Sequence, residues 1–88
     1  LFTVYAVGNE LDRARLGITV SRKVSSRAVS RNRLKRLVRE SFRHHKYSLS
    51  GMDLVVVARK DAGETQRPAI DRSLARHWIS VEQKCAKH

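Results

Sequence analysis

The chain has 88 residues, the size of one small domain. Its 19 Lys and Arg outnumber its 8 Asp and Glu, giving a formal net charge of +11, and 41% of its residues are hydrophobic. That apolar fraction supports one core and is too high for a disordered basic tail. The longest apolar run, residues 54–58, is far shorter than the roughly 20 residues of a membrane span. We therefore expect one compact domain that does not span a membrane. Its charge would attract nucleic acid, an anionic membrane surface or acidic proteins, and the distribution of the charge, described below, favours nucleic acid and no membrane.

The only cysteine, Cys85, excludes an internal disulfide framework and a multi-cysteine zinc site. A reduced, cytoplasmic setting fits this count. The first residue, Leu1, is not a methionine and lies in a predicted strand. We therefore expect N-terminal sequence to be missing, so a targeting signal cannot be judged.

Two strands are predicted first. Residues 1–7 are rich in β-branched and aromatic side chains, and residues 16–21 alternate apolar with small or polar ones. Because a short polar segment containing Gly8 and Asn9 joins them, they are expected to pair as an antiparallel hairpin. One face would carry Phe2, Val4, Ala6, Leu16, Ile18 and Val20, and the other Thr3, Tyr5, Thr19 and Ser21.

A helix is predicted next, with Ser25 or Ser26 as its N-cap and its end near Tyr47. At about 100° per residue, one side of this helix forms a core stripe and the opposite side is cationic. The stripe contains Leu34, Leu37, Val38, Ser41 and Phe42, and the opposite side contains Asn32, Arg36, Arg39 and Arg43.

The remaining residues predict a strand, a loop and a second helix. Residues 53–59 are almost continuously apolar, which indicates a buried strand, and residues 60–67 are typical of a polar loop. Pro68 suits a first helical turn, and a stripe follows it at Ile70, Leu74, Trp78, Val81 and Cys85. The order ββαβα predicts an α+β fold, a two-layer α/β sandwich with a small mixed sheet, as a single domain over residues 1–88.

The basic residues are concentrated in one part of the chain. Ten lie from Arg22 to Lys46, with Glu40 as the one acid among them. Seven of the ten are arginines, whose planar guanidinium matches phosphate geometry. A solvated helix face normally mixes acids and bases four residues apart, and this one does not. We interpret the segment as a nucleic-acid-binding surface.

Three motifs carry a family resemblance. Residues 31–36 read Arg-Asn-Arg-Leu-Lys-Arg in the first helix, after a strand that ends in Val-Ser-Arg-Lys at residues 20–23. Residues 53–59 add an acid, an aliphatic run and Ala-Arg. In this order the motifs resemble the bacterial ribonuclease P protein component, well over about residues 1–59 and only by pattern in the final helix.

The resemblance implies a basic protein subunit that binds a catalytic RNA and the 5′ leader of precursor tRNA, with no obligate protein partner. The RNA would remove the leader in a Mg²⁺-dependent endonucleolytic reaction, and the protein itself would hold no Mg²⁺. It also implies a left-handed crossover from the second strand to the third, and a missing N-terminal helix. The implied RNA-binding residues are Arg22, Lys23, Arg27, Arg31, Asn32, Arg33, Lys35, Arg36, Arg39 and Arg43. The implied leader cleft contains Thr3, Tyr5, Thr19 and Ser21, in which Tyr5 would stack on an unpaired base.

Other functions are less well supported. His44, His45 and Lys46 could suggest acid–base cleavage of RNA, but adjacent helical residues point about 100° apart. His77 and His88 lack a spaced metal-ligating partner, so we predict neither catalytic residues nor metal ligands. The main alternative is a ribosomal-type RNA-binding protein on the same sandwich. A reader of double-stranded DNA would need base-reading side chains beyond Asn32 and the arginines.

Overall fold

The computed structural model of the chain describes residues 1–86, and the side chains of residues 1–84. The strands are β1 (Phe2–Gly8), β2 (Arg15–Thr19) and β3 (Met52–Ala58), and the helices are α1 (Ala28–Arg43) and α2 (Arg67–Ala86). The predicted α+β class and the order ββαβα are confirmed. Among the described residues, no helix combines the length and apolar character that crossing a bilayer requires.

The predicted hairpin between β1 and β2 is wrong, because β3 lies between them in a sheet of order β1-β3-β2. β3 pairs antiparallel with β1 and parallel with β2, and α1 forms the crossover that joins the parallel pair. The link between β1 and β2 passes the start of β3: the Gly51 carbonyl accepts from the Asn9 amide, and the Gly51 amide donates to the Arg13 carbonyl. Gly51 has a φ of 84°, a conformation that glycine adopts without steric cost.

Both helices pack on one face of the sheet. β3 contributes Leu54, Val56 and Ala58 to the buried core between the layers. The helices contribute Leu34, Leu37 and Val38 from α1, and Ile70, Leu74, Trp78 and Val81 from α2. The side chain of Cys85, predicted in the α2 stripe, lies outside the described side chains. The core stripes of both helices are otherwise confirmed.

Trp78 joins the two helices. Its side chain is fully buried, and its indole N–H donates to the Ser41 hydroxyl of α1 at 2.8 Å. The Phe42 ring meets the indole edge-on, with ring centroids 5.9 Å apart. This contact satisfies the one polar group of a large buried side chain, and so fixes α1 against α2.

Several predicted boundaries differ from the structure. The N-cap of α1 is Arg27, and the Ser25 hydroxyl instead accepts from the Arg27 amide at 3.3 Å before the helix begins. α1 ends at Arg43 rather than near Tyr47, because residues 44–50 form turns. The expected loop at residues 60–67 contains a 3₁₀ helix, Lys60–Glu64.

The strand predicted to be buried, β3, is buried on one face only. Its other face carries Asp53, Val55 and Val57, none of which is fully buried, and Val55 is 43% exposed. A central strand is bonded along both edges, because it has a neighbour on each side. Each face of that strand is buried only where another layer packs on it. The sheet therefore presents an open face opposite the helices.

The 3₁₀ helix holds the segment that leads into α1. A Cβ atom at Gly63 would collide with the carbonyl oxygen of Val24, so only glycine allows this approach. The Val24 amide in turn donates to the Ser21 carbonyl at 3.1 Å. These contacts determine where the chain turns from β2 into the basic helix.

Candidate nucleic-acid interface

The outer side of α1 and the turn before it form a continuous cationic surface, here called the basic surface. Of the ten residues expected to bind RNA, eight are exposed and the other two, Arg31 and Lys35, are half-buried. The exposed residues are Arg22, Lys23, Arg27, Asn32, Arg33, Arg36, Arg39 and Arg43. The structure therefore places the predicted residues on one side of one element and its N-terminal approach.

The positive charge of the basic surface is not neutralised within the described part of the chain. None of the basic residues from Arg22 to Lys46 forms an ion pair there. The single acid of this segment, Glu40, points to α2 and pairs with Arg67 at 3.3 Å. A row of unpaired guanidinium and ammonium groups has the chemistry that a phosphate backbone requires.

Arg31 differs from its neighbours. Its guanidinium Nη1 donates to the Ser25 carbonyl at 3.0 Å, so part of its hydrogen-bonding capacity stabilises the turn before α1. This bond links the first turn of α1 to the segment that leads into the helix. Arg31 thus has a structural contact besides the predicted contact with RNA.

The second candidate surface is the open face of the sheet. Neighbouring side chains on this face form three rows across β1, β3 and β2: Thr3, Val57 and Thr19; Tyr5, Val55 and Gly17; Val7, Asp53 and Arg15. Tyr5 is 61% exposed in the middle row. Gly17 adds no side chain to that row, so the surface beside the ring is low and open to a flat ligand.

Charged groups flank the open face at both ends. At one end the Arg59 guanidinium donates to the Thr3 hydroxyl at 3.2 Å. At the other, Arg15 donates to both oxygens of Asp53, Nε to Oδ1 at 2.7 Å and Nη2 to Oδ2 at 2.6 Å. These bonds, with a further one from the Asn9 amide, lower the pKa of the Asp53 carboxyl to about 2.

Three of the four predicted cleft residues share the open face, namely Thr3, Tyr5 and Thr19. Ser21 lies outside the strands, because β2 ends at Thr19 and Ser21 comes just before the turn at residues 22–24. Tyr5 is level with Gly17 rather than with Thr19 or Ser21, since β3 separates the two outer strands.

Val55 and Arg59 also belong to the open face, although the sequence pattern did not predict them there. The alternation of Asp53, Val55 and Val57 was the available signal, but a continuous apolar run concealed it. Arg59 follows β3 and reaches Thr3 only because β1 and β3 are antiparallel neighbours.

The histidines after α1 do not form an acid–base pair. His45 Nδ1 lies 3.1 Å from Glu82 Oε1, which also accepts from the Ser48 hydroxyl at 2.6 Å. The hydrogen bond from Ser48, followed by that from His45, lowers the pKa of Glu82. His44 instead lines a cavity of about 320 Å³ between α1 and α2.

The carboxylates of that cavity have partners. Glu40 and Asp71 both pair with Arg67, at 3.3 and 3.5 Å. Among the described residues, no three His, Cys, Asp or Glu side chains are grouped closely enough to hold a metal ion.

Comparison with known proteins identifies the family. The family profile described as Ribonuclease P matches residues 1–82. The chain is 44% identical over 86 residues to the ribonuclease P protein component of Marinomonas sp. (strain MWYL1), which covers 98% of the chain and 65% of the relative. It is 49% identical over 70 residues to that of Pseudomonas aeruginosa (strain LESB58), covering 80% and 52%. The chain thus spans about half to two thirds of the length of these relatives.

Solved structures agree with the sequence comparison. The RNase P protein of Staphylococcus aureus superposes with a TM-score of 0.80 at 41% identity, over 91% of this chain and 72% of that one. The RNase P protein of Thermotoga maritima gives a TM-score of 0.77 at 38% identity, over 88% and 74%. The fold, the order of the motifs and the sequence match those of ribonuclease P proteins over nearly the whole chain. The chain therefore belongs to the ribonuclease P protein family.

Proposed function

We propose that the chain is the protein subunit of ribonuclease P, which binds the catalytic RNA and the 5′ leader of precursor tRNA and so promotes maturation of the tRNA 5′ end. The observation that carries this proposal is the basic surface, with its exposed cations and no ion-pair partner within the described residues. Membership of the family supports the same function.

The basic surface would bind the catalytic RNA. Guanidinium groups donate in a planar fork to phosphate oxygens, and binding releases counterions from the RNA. Asn32 adds an amide that can donate to and accept from a sugar or a base edge. These contacts position a folded RNA without requiring a particular sequence.

The open face would bind the leader. An unpaired base stacks on an aromatic ring whatever its identity, and Tyr5 presents its ring beside the low surface of Val55 and Gly17. Thr3 and Thr19 supply hydroxyls, and Arg59 adds a cation at the end of the face. Mature tRNA lacks a leader, so this face would distinguish precursor from product.

Four of the eight carboxylates already have side-chain partners, and no three His, Cys, Asp or Glu side chains are grouped as a metal site among the described residues. Asp53 is held by Arg15, Glu40 and Asp71 by Arg67, and Glu82 by Ser48 and His45. We therefore propose that the Mg²⁺ used in the reaction is bound mainly by the RNA subunit. We also propose that the complex acts in the bacterial cytoplasm, where precursor tRNA is made, and needs no further protein subunit.

The test is reconstitution with a bacterial ribonuclease P RNA at low Mg²⁺. We expect the assembled complex to cleave precursor tRNA faster than the RNA alone, and RNA-free protein to cleave nothing. A ribosomal-type RNA-binding protein would bind RNA without favouring precursor over mature tRNA. Equal affinity of the complex for both tRNAs, with no stimulation of cleavage, would reject the proposal in favour of that alternative.

A further inference from the structure

The segment between α1 and β3 carries an unusually exposed aromatic side chain. Tyr47 is 83% exposed, the highest value among the large apolar side chains of the described residues. Leu49, two residues later, is fully buried. An exposed ring adds little to the core, so its contribution to folding is small.

A cation lies against this ring. The Lys46 ammonium lies over it at 5.2 Å from the ring centroid, within the range of a cation–π contact. Arg43, the last residue of α1, belongs to the basic surface and is exposed four residues before Tyr47. The acids packed against this part of the chain are engaged elsewhere, Glu40 with Arg67 and Glu82 with Ser48 and His45.

The turn that presents Tyr47 is held from several sides. The Tyr47 carbonyl accepts from both the amide and the hydroxyl of Ser50, at 3.3 and 2.8 Å. Ser48 bonds Glu82 of α2 at 2.6 Å, and the Leu49 side chain is inserted in the core. The backbone beneath the ring is therefore fixed before any ligand arrives, which reduces the ordering cost of binding.

We propose that Tyr47 and Lys46 form a stacking site for an unpaired nucleotide of the RNA that binds α1. The base would lie on the ring, and Lys46 and Arg43 would contact the adjoining phosphates. The proposal rests on the proposed function, because it extends the same basic surface beyond the end of the helix. It commits to the catalytic RNA rather than the leader, because Tyr47 follows the helix layer while Tyr5 lies on the open face of the sheet.

The experiment compares dissociation constants for a bacterial ribonuclease P RNA at one salt concentration. Tyr47→Ala should weaken binding about five- to 150-fold, the range expected for loss of one base–aromatic stack. Tyr47→Phe keeps the ring and should stay within about twofold of the parent protein. Ile79→Ala, at a 48% exposed apolar residue of α2, is the matched control and should leave binding unchanged. Thermal unfolding of each variant separates a binding defect from a folding defect.

A second pair of probes, oligouridylate and an RNA duplex of equal length, tests for stacking itself. Tyr47→Ala should weaken binding of the single strand and leave that of the duplex unchanged. Unchanged binding of the catalytic RNA by Tyr47→Ala overturns the proposal, as does an equal loss in Tyr47→Phe. A loss seen only when precursor tRNA is added would assign the ring to the leader and overturn the choice of partner.

The outcome for Arg36→Ala distinguishes this proposal from the proposed function. If Arg36→Ala weakens binding of the catalytic RNA and Tyr47→Ala does not, only the stacking site is rejected. If neither variant weakens it, the basic surface itself is not the RNA-binding site.

Discussion

At the scale of single residues, Arg36 and Leu37 show how closely two roles are placed in α1. Arg36 is exposed on the basic surface, whereas Leu37 is 5% exposed and packs in the core. One helical step of about 100° separates a side chain that we propose binds RNA from one that packs against the rest of the fold.

Arg36→Ala should lower the affinity for the catalytic RNA by about 1–3 kcal/mol and leave stability nearly unchanged, because a charge-assisted bond to phosphate is lost. Leu37→Ala should cost about 2–5 kcal/mol of folding free energy through a core cavity. Dissociation constants and urea denaturation of both variants measure the two effects. Loss of stability in Arg36→Ala together with a silent Leu37→Ala would contradict the assignment of faces.

Tyr5 tests whether the open face binds the leader. Tyr5→Ala should weaken binding of precursor tRNA to the reconstituted complex by about 1–3 kcal/mol and leave mature tRNA unaffected, since only the precursor offers an unpaired base. Tyr5→Phe should retain most of the affinity because the ring provides the stacking surface. Dissociation constants of each variant for precursor and for mature tRNA, measured at one salt concentration, test this prediction. Equal losses for both tRNAs would make Tyr5 a residue of the fold rather than of the leader site.

Asp53 links the open face to acid stability. Its pKa falls from 3.8 to about 2 in the folded protein because Arg15 and Asn9 donate to the carboxylate. A lowered folded-state pKa stabilises the fold above the unfolded pKa, and this contribution is lost as pH falls from about 4 to 2. Asp53→Asn should therefore be less stable than the parent at pH 7, with the difference shrinking over that interval. Denaturant unfolding at several pH values measures it, and a constant difference would argue against the Arg15–Asp53 pair.

At the scale of elements, the contact between α1 and α2 depends on one buried hydrogen bond. Ser41→Ala removes the acceptor of the Trp78 indole N–H and leaves that donor unsatisfied in the core. We expect a loss of about 1–3 kcal/mol in folding free energy. At a temperature where the variant is folded, its affinity for the catalytic RNA should match that of the parent. A variant of unchanged stability would mean that another group accepts this hydrogen bond.

The helix α1 and the sheet differ in how far the sequence predicts them. The two sides of α1 followed from helical periodicity, because the direction of each side chain depends on local geometry. The pairing of β1 and β2 did not, because β3, more than thirty residues after β2, takes the position between them. The same insertion places Val55 beside Tyr5 and brings Arg59 to Thr3, contacts that a hairpin of β1 and β2 would not contain. Strand order is decided by distant segments, and alternation within one strand carries no information about its neighbour.

At the scale of the whole molecule, a net charge of +11 acts on any RNA before specific contacts form. We expect the logarithm of the association constant with the catalytic RNA to fall linearly with the logarithm of salt concentration, with a slope magnitude of about 4 or more. This value corresponds to several phosphates neutralised by the basic surface, at about 0.7 to 0.9 per phosphate. Titrations between low and physiological salt give the slope, and a nearly flat dependence would contradict an electrostatic interface.

The central position of β3 has a consequence for the newborn chain. Because β1 and β2 bond to β3 and not to each other, residues 1–51 contain no two strands that are paired with each other in the folded sheet. While it emerges from the ribosome, this part carries twelve Lys and Arg against three Asp and Glu, with its apolar stripe still uncovered. The sheet can form only after residues 52–58 are synthesised, because β3 lies between β1 and β2. This pairing joins residues far apart in the sequence, and such contacts form slowly. Because residues 1–51 carry this excess of positive charge before the sheet can form, we expect non-specific contacts with RNA to compete with folding at that stage.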